Sequence, residues 1–145
     1  MPTRDSQKSR VYRAEDMLTQ RWPERPLTAA DALEWATQTV MRDQWFRRNW
    51  PAVRHLEMDA GKQYAYGSFD HVVQTGHLVM PDWAGQLTVL HELAHVCVEA
   101  EHGWLNVASH GEQWASVYLR LVERHLGPKI AEALRTCFAA CRVSH

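Results

Sequence analysis

The chain has 145 residues, of which 46% are hydrophobic and 23% charged, and its formal net charge is -1 at pH 7. This length and composition allow a buried core to form without disulfide bonds, and they do not indicate disorder or a fibrous protein. No stretch approaches the roughly 18 apolar residues that a membrane span requires, and residues 1–10 lack the apolar core of a signal peptide. These observations predict a single domain over residues 1–145, located in the cytoplasm and without a membrane partner.

Charge is distributed unevenly along the chain. Residues 1–54 hold 10 Lys and Arg against 7 Asp and Glu, residues 55–112 hold 1 against 8, and residues 113–145 hold 5 against 2. The acidic middle part contains several histidines, a combination that suits a cation site. The basic ends leave nucleic acid open as a partner, although so small an excess of positive charge is also typical of an ordinary solvated surface.

The three cysteines, Cys97, Cys137 and Cys141, form neither an even set nor a CxxC pair. This spacing argues against a disulfide framework and against a zinc ribbon. Cys137 and Cys141 stand four positions apart in a helical pattern. We therefore expect reduced thiols that pack in the core.

Two helices are predicted in the N-terminal part, residues 1–50. The first covers residues 7 to about 21, where apolar residues recur at helical spacing before a proline ends the run. The second begins after Thr28, with Asp31 at the third helical position in an approximate capping box, and its apolar stripe continues to about residue 47. We interpret both helices as scaffold.

From Val53 the period of the sequence changes. Three short runs are rich in β-branched and aromatic residues, VRHLEM, YAYGSF and HVVQTGHLVM, and they are broken at Gly61-Lys62, Asp70 and Gly76. They predict two to four strands of a small antiparallel sheet. Gly67 inside the second run indicates a bulge, a tight turn or the close approach of another backbone, as an edge strand that receives an extended peptide would need.

The segment after the strands predicts a buried helix. Asp82 is a suitable N-cap, and the pattern continues to about Glu101 with apolar residues almost all round. Within it, HELAH matches the motif HExxH at His91, Glu92 and His95. Residues four apart lie on one face of a helix with Cβ atoms roughly 5 to 6 Å apart, so two imidazoles can bind one Zn²⁺ ion.

Glu92 lies about 100° round the helix from His91, beside the expected metal position. From there it can take a proton from a metal-bound water and pass it to a leaving group, which is the role of this glutamate in metalloproteases. The motif therefore predicts a zinc-dependent hydrolase with Glu92 as the catalytic general base.

A catalytic zinc ion commonly has three protein ligands and an open fourth position, so a third ligand is needed. The longer pattern HExxHxxGxxH fails, because Val98 and Glu101 occupy its last two defined positions. This argues against a metzincin. From the residues alone the candidates are His102, His110, Glu112 and Glu99.

Two further helices are predicted after this point. Ser109 and Glu112 form a capping box that places His110 in the first turn of a helix through Leu126, and Gly111 would allow a close approach to the site helix. The last, amphipathic helix lies in the C-terminal segment, residues 127–145, after a Gly-Pro pair.

The element HELAH, a gap of 14 residues and the element HGEQW, His110 to Trp114, together resemble the SprT-like zinc metalloprotease family. In that family HExxH is followed by a third histidine in an HGxxF or HGxxW element that opens the next helix. The resemblance covers roughly residues 63–122. The N-terminal RVYRAE segment resembles a group of small uncharacterised bacterial and phage metallohydrolases that share this core.

The resemblance implies an α+β, zincin-like fold in which a short antiparallel sheet packs on the buried HExxH helix, with the sheet and metal-site helices in residues 51–126. It implies His91, His95 and His110 as zinc ligands and Glu92 as the catalytic base. It also implies that Trp114 packs the third-ligand helix. The sequence has neither the zinc ribbon nor the long basic tail through which many SprT-like proteins bind DNA, so the expectation extends to the hydrolytic core and not to repair of DNA–protein crosslinks.

Three functions remain open at this point. The first is a metallopeptidase whose protein or peptide substrate lies along the strand near Tyr64 to Phe69. The second is hydrolysis of a non-peptide amide or ester by the same zinc-bound water. The third is a non-catalytic module, in which the metal only holds the helices together or the surface binds nucleic acid or protein. The candidates for a transition-state donor are Tyr66, His102 and Tyr118.

Overall fold

The computed structural model describes residues 5–103 and 106–145. These residues form six α-helices, a π-helical segment and a three-stranded sheet, which confirms the α+β composition. The chain divides into a central unit, Glu24–Glu101, and a terminal unit, Met1–Pro23 with His102–His145. None of the described helices is both long enough and apolar enough to cross a membrane.

The terminal unit is helical. Its helices are α1 (Lys8–Arg21), α5 (Glu112–Leu126) and α6 (Pro128–Ala140). The predicted first helix is confirmed, because α1 buries the apolar residues that recur at helical spacing, Val11, Ala14 and Leu18. The last helix is also confirmed: Gly127 precedes it with φ +101°, and Pro128 occupies the start of α6. Proline suits this position because a backbone N–H there would have no partner within the helix.

Aromatic side chains fill the interior of the terminal unit. Trp114 and Tyr118 are fully buried with ring centroids 5.0 Å apart, and Tyr118 also contacts Phe138. Burial raises the pKa of the Cys137 thiol, and the neighbouring Cys141 adds to the effect, so Cys137 stays protonated. All three cysteines are buried and form no disulfide, as expected.

The N-terminal part of the central unit differs from the single helix predicted over residues 28–47. Thr28 is an N-cap as expected, because its side chain accepts a hydrogen bond from the Asp31 N–H at 3.1 Å. The chain then forms α2 (Ala29–Trp35), a π-helical segment (Ala36–Val40) and a separate α3 (Gln44–Asn49). The prediction of one helix was wrong because a second cap restarts the chain at Asp43, whose carboxylate accepts the Trp45 N–H at 3.1 Å.

The sheet lies in the central unit. Its strands are β1 (His55–Gly61), β2 (Tyr66–Asp70) and β3 (Thr75–Pro81), in the order β1-β3-β2. β2 and β3 are antiparallel, with Gly67 opposite Leu78, whereas β1 is parallel to β3, with Leu56 opposite Gly76. The prediction of an antiparallel sheet was therefore wrong for β1. The alternating pattern identifies strands but contains no signal for their order, and β3 lies between β1 and β2.

The site helix α4 (Gln86–His102) begins later than predicted. Asp82 is exposed in a turn before the helix, so its prediction as the N-cap was wrong. The carboxylate of Glu24 lies at this helix end instead. It accepts hydrogen bonds from the Gly85 N–H at 3.2 Å, the Thr88 N–H at 2.7 Å and the Thr88 hydroxyl at 2.5 Å. An acid at a helix N-terminus satisfies unpaired N–H groups and interacts favourably with the helix dipole.

Candidate metal site

The HExxH residues lie in the buried middle of α4. His91 is 4% and Glu92 6% exposed, whereas His95, one turn later, is partly exposed. The ring centroids of His91 and His95 are 5.2 Å apart, as the spacing of four residues predicts. A carboxylate oxygen of Glu92 lies 3.7 Å from Nε2 of His91. The helix thus presents two imidazoles with a carboxylate beside them.

His110 lies just before α5 and not in its first turn. The helix begins at Glu112 with Gly111 as N-cap, and no side chain caps it, so the predicted Ser109–Glu112 capping box was wrong. The Gly111 N–H instead donates to the Ala108 carbonyl at 3.0 Å, which closes a turn around His110. A Cβ at Gly111 would contact Ala108, so the lack of a side chain at Gly111 accommodates this turn. The predicted approach of Gly111 to the site helix was wrong.

Three residues of the terminal unit, Asp5, Tyr12 and Trp114, contact the His110 ring. Asp5 Oδ2 lies 2.8 Å from His110 Nδ1, and His110 is only 5% exposed. The rings of Tyr12 and Trp114 meet the imidazole edge-on, with centroids 5.4 Å and 4.9 Å away. Trp114, which the resemblance implied would pack the third-ligand helix, contacts the His110 ring. Because Asp5 engages Nδ1, Nε2 is the nitrogen that His110 can offer to a metal.

The three predicted ligand histidines come together. One nitrogen from each of His91, His95 and His110 lies within 4.8 Å of the other two, which is close enough for one metal ion. Zn²⁺ binds imidazole nitrogens at about 2.0 to 2.1 Å. Three neutral imidazoles are also a donor set that suits zinc.

The other candidates for a third ligand have different surroundings. The Glu99 carboxylate accepts the Phe69 N–H at 2.7 Å, at the strand β2. Burial raises the pKa of Glu99, while the Phe69 N–H and the nearby His71 oppose the shift. His102 is exposed at the end of α4, and its carbonyl accepts a hydrogen bond from the Asn106 side chain. The group of possible metal ligands found in residues 5–103 and 106–145 includes neither of them, nor Glu112.

The three candidates for a transition-state donor differ in their burial and contacts. Tyr118 is fully buried, and its hydroxyl donates to Glu15 at 2.9 Å, so it has a structural role. His102 is exposed at the end of its helix. Tyr66 is 56% exposed and precedes Gly67, whose backbone lies close to that of Glu92.

Gly67 is one of the points at which the sheet contacts the site helix. A Cβ at this position would collide with the Glu92 carbonyl oxygen and lie 3.0 Å from its carbonyl carbon. The strand order places β2 at an edge of the sheet. The expected close approach of another backbone to an edge strand is therefore confirmed, and the approaching backbone is that of Glu92 in the HExxH motif.

Two residues that shape the region were missed by sequence reasoning. Asp5 and Glu24 each act on a residue far along the chain, His110 and Thr88 respectively. A single carboxylate outside any periodic pattern carries no local signal of such a partner, since most acidic residues are simply solvated.

No protein-family model matches the chain, and no curated protein or solved structure matches it significantly. The resemblance to the SprT-like family therefore rests on the HELAH and HGEQW elements and stays a prediction.

Proposed function

We propose that the protein is a zinc-dependent metallopeptidase, with His91, His95 and His110 as ligands and Glu92 as general base. The proposal rests on one observation: three imidazole nitrogens lie within 4.8 Å of one another, with the Glu92 carboxylate 3.7 Å from His91 Nε2. When bound, zinc would supply a Lewis acid that lowers the pKa of a coordinated water and polarises the scissile carbonyl.

Glu92 is positioned for proton transfer. It is 6% exposed, and its carboxylate lies beside the ligand nitrogen of His91. In the proposed reaction an oxygen of the Glu92 carboxylate accepts a proton from the attacking water and delivers it to the nitrogen of the leaving amine. A positioned general base of this kind contributes roughly 10² to 10⁴ in rate.

The edge strand β2 supports a peptide as the substrate class. An extended peptide can add to a free sheet edge through main-chain hydrogen bonds, and Gly67 places that edge against the backbone of Glu92. Tyr64 and Tyr66 are 78% and 56% exposed next to it. The Phe69 N–H is already bonded to Glu99, so a substrate would pair with residues before Phe69 and not with the whole run from Tyr64 to Phe69.

The proposed activity is tested with the zinc-loaded protein and denatured casein as substrate. Glu92→Gln should retain stoichiometric zinc and the circular dichroism spectrum of the wild type, while hydrolysis falls by roughly 10² or more. Glu112→Gln, a matched change at an exposed glutamate, should leave hydrolysis unchanged. Loss of zinc from Glu92→Gln would refute its assignment as base. Zinc binding without any turnover that depends on Glu92 would favour a non-catalytic module.

The ligand assignment is tested separately by zinc affinity. His110→Ala should weaken zinc binding by orders of magnitude, because it removes one of three protein ligands. His102→Ala, a change at an exposed histidine outside the cluster, should leave the affinity within about twofold. A competition titration against a chromogenic chelator measures both variants. The assignment is wrong if His102→Ala weakens zinc binding by orders of magnitude and His110→Ala leaves the affinity within about twofold.

A further inference from the structure

A pocket lies in the central unit, in a segment to which the proposed hydrolysis assigns no role. This pocket has a volume of about 630 Å³, within the range typical of small-molecule sites. Eleven residues line it, and they come from the π-helical segment, α3, the turns on either side of α3 and the start of β1. A π-helical segment is rare and is frequently found at functional sites.

The wall of the pocket is cationic. Arg42, Arg47 and Arg54 are exposed and line the pocket together with His55, and no Asp or Glu is among the lining residues. Within residues 5–103 and 106–145, none of the three guanidinium groups forms an ion pair with a carboxylate. Arg42 donates to the amide oxygen of Gln38 at 3.4 Å.

Like charges that share a concavity repel one another unless an anion lies between them. Arginine is the side chain best suited to such an anion when it is a phosphate, because its planar fork donates two parallel hydrogen bonds. The three arginines therefore favour an anionic ligand that carries phosphate oxygens.

Part of the remaining lining is apolar and buried. Trp50, Val53 and Met41 are 1%, 5% and 8% exposed. A pocket that combines an apolar wall with a few charged groups is typical of a site that holds an organic body by contact and orients it through its polar end. Inorganic phosphate would contact only the arginines and would leave most of the pocket volume unfilled.

We propose that this pocket binds a phosphate ester of nucleotide class, with the phosphates at Arg42, Arg47 and Arg54 and the organic part against Trp50, Val53 and Met41. The ligand is either a free nucleotide or the terminal nucleotide of a single strand, since both present the same phosphate and ring chemistry. The proposal is independent of zinc binding and of Glu92.

Isothermal titration of the zinc-loaded full chain with ADP tests the proposal. ADP should bind in a saturable manner below about 1 mM, and adenosine and inorganic pyrophosphate should each bind at least about tenfold more weakly. Arg42→Gln and Arg54→Gln should each weaken ADP binding about tenfold, as expected for loss of charge-assisted hydrogen bonds. Arg13→Gln, a matched change at an exposed arginine on α1, should have less than about a twofold effect.

A 5′-phosphorylated thymidine hexanucleotide distinguishes the two sources. Tighter binding of the hexanucleotide than of ADP, with the same dependence on Arg42 and Arg54, identifies the terminal nucleotide of a strand as the ligand. Absence of saturable binding of both probes overturns the proposal. Binding that the Arg42 and Arg54 variants leave unchanged also overturns it, because the phosphates would then lie elsewhere, for example on the zinc ion. Pyrophosphate binding as tight as that of ADP would refute the organic part of the assignment.

Discussion

At the scale of single residues, the contact between Asp5 and His110 explains how the third imidazole is oriented. Asp5 Oδ2 lies 2.8 Å from Nδ1, and the aromatic rings of Tyr12 and Trp114 flank the imidazole. Histidines that bind metals usually donate their second ring N–H to a carboxylate or carbonyl, which selects the tautomer and holds the ring in place. Asp5 is in position for this role although it lies 105 residues away along the chain.

We predict that Asp5→Ala weakens zinc binding roughly 10- to 100-fold while the fold is retained, because His110 loses the partner that orients its ring. Asp5→Asn should have a smaller effect, since its amide oxygen still accepts the Nδ1 hydrogen. Competition with a chromogenic chelator measures the affinities, and Asp16→Ala, at an exposed position of α1, serves as the control. Wild-type affinity in Asp5→Ala would show that His110 needs no such partner.

At the scale of elements, β2 and α4 are joined at two points. Gly67 contacts the backbone of Glu92, and the Phe69 N–H donates to Glu99. The two points follow one another in the same direction along the strand and the helix, so they align the edge strand with the HExxH motif. Each contact can be removed by one substitution.

The first substitution is Gly67→Ala. Its Cβ would collide with the Glu92 carbonyl, which is backbone and cannot rotate away, so the strand or the helix must shift. We expect the free energy of unfolding to fall by about 1 to 3 kcal/mol, the usual effect of overpacking. Urea denaturation measures it, with Ser68→Ala on the same strand as control. Equal stability of Gly67→Ala and the wild type would mean that the approach of the two backbones is not tight.

The second substitution concerns Glu99 and predicts a pH effect. Burial raises the pKa of this carboxyl above its ordinary value of 4.5, so ionisation is less favourable in the folded chain than in the unfolded one. The contribution of Glu99 to stability is therefore present below the ordinary value and is lost as pH rises through the folded pKa. Glu99→Gln keeps an acceptor for the Phe69 N–H and removes this dependence.

We expect Glu99→Gln to become more stable relative to the wild type as pH rises above 4.5. The difference in the free energy of unfolding should become constant once pH exceeds the pKa of Glu99 in the folded chain. Urea unfolding at a series of pH values, with a chelator present, measures this difference. Glu99→Ala should be less stable than Glu99→Gln by about 1 kcal/mol, because it leaves the Phe69 N–H without its acceptor. A difference that does not change with pH would contradict the prediction.

At the scale of the whole molecule, zinc binding should stabilise the chain in a manner that depends on pH. A ligand present at about 100 times its Kd stabilises the folded state by about 2.7 kcal/mol. Each ligand imidazole must be neutral to bind, and an unperturbed histidine has a pKa of about 6.5, so affinity and activity should both fall below about pH 6.

We expect zinc to raise Tm clearly at neutral pH and only slightly at about pH 5. Differential scanning calorimetry with and without zinc measures the shift, and His110→Ala should show little shift at either pH. A zinc-dependent increase in Tm of equal size at both pH values would argue against histidine ligands.

Local patterns in the sequence determined the helical elements of the site. His91 and His95 share a helix face because their spacing of four matches the helical period, and the same reasoning found α1 and the Thr28 cap. Gly67 in a strand pattern indicated the close approach of another backbone, and that backbone is the one of Glu92. In each of these cases the residues that interact are neighbours in sequence, or a residue type itself reports the constraint.

Only the tertiary structure decided which distant residues meet. The parallel pairing of β1 with β3, the Glu24 carboxylate at the start of α4 and the Asp5 contact with His110 join segments separated by 20 to 105 residues. No period or spacing encodes such contacts, because a strand edge, a helix end or an imidazole accepts any partner of suitable chemistry. The partner is selected when the whole chain packs its apolar surface and brings one carboxylate, among many, within hydrogen-bond distance.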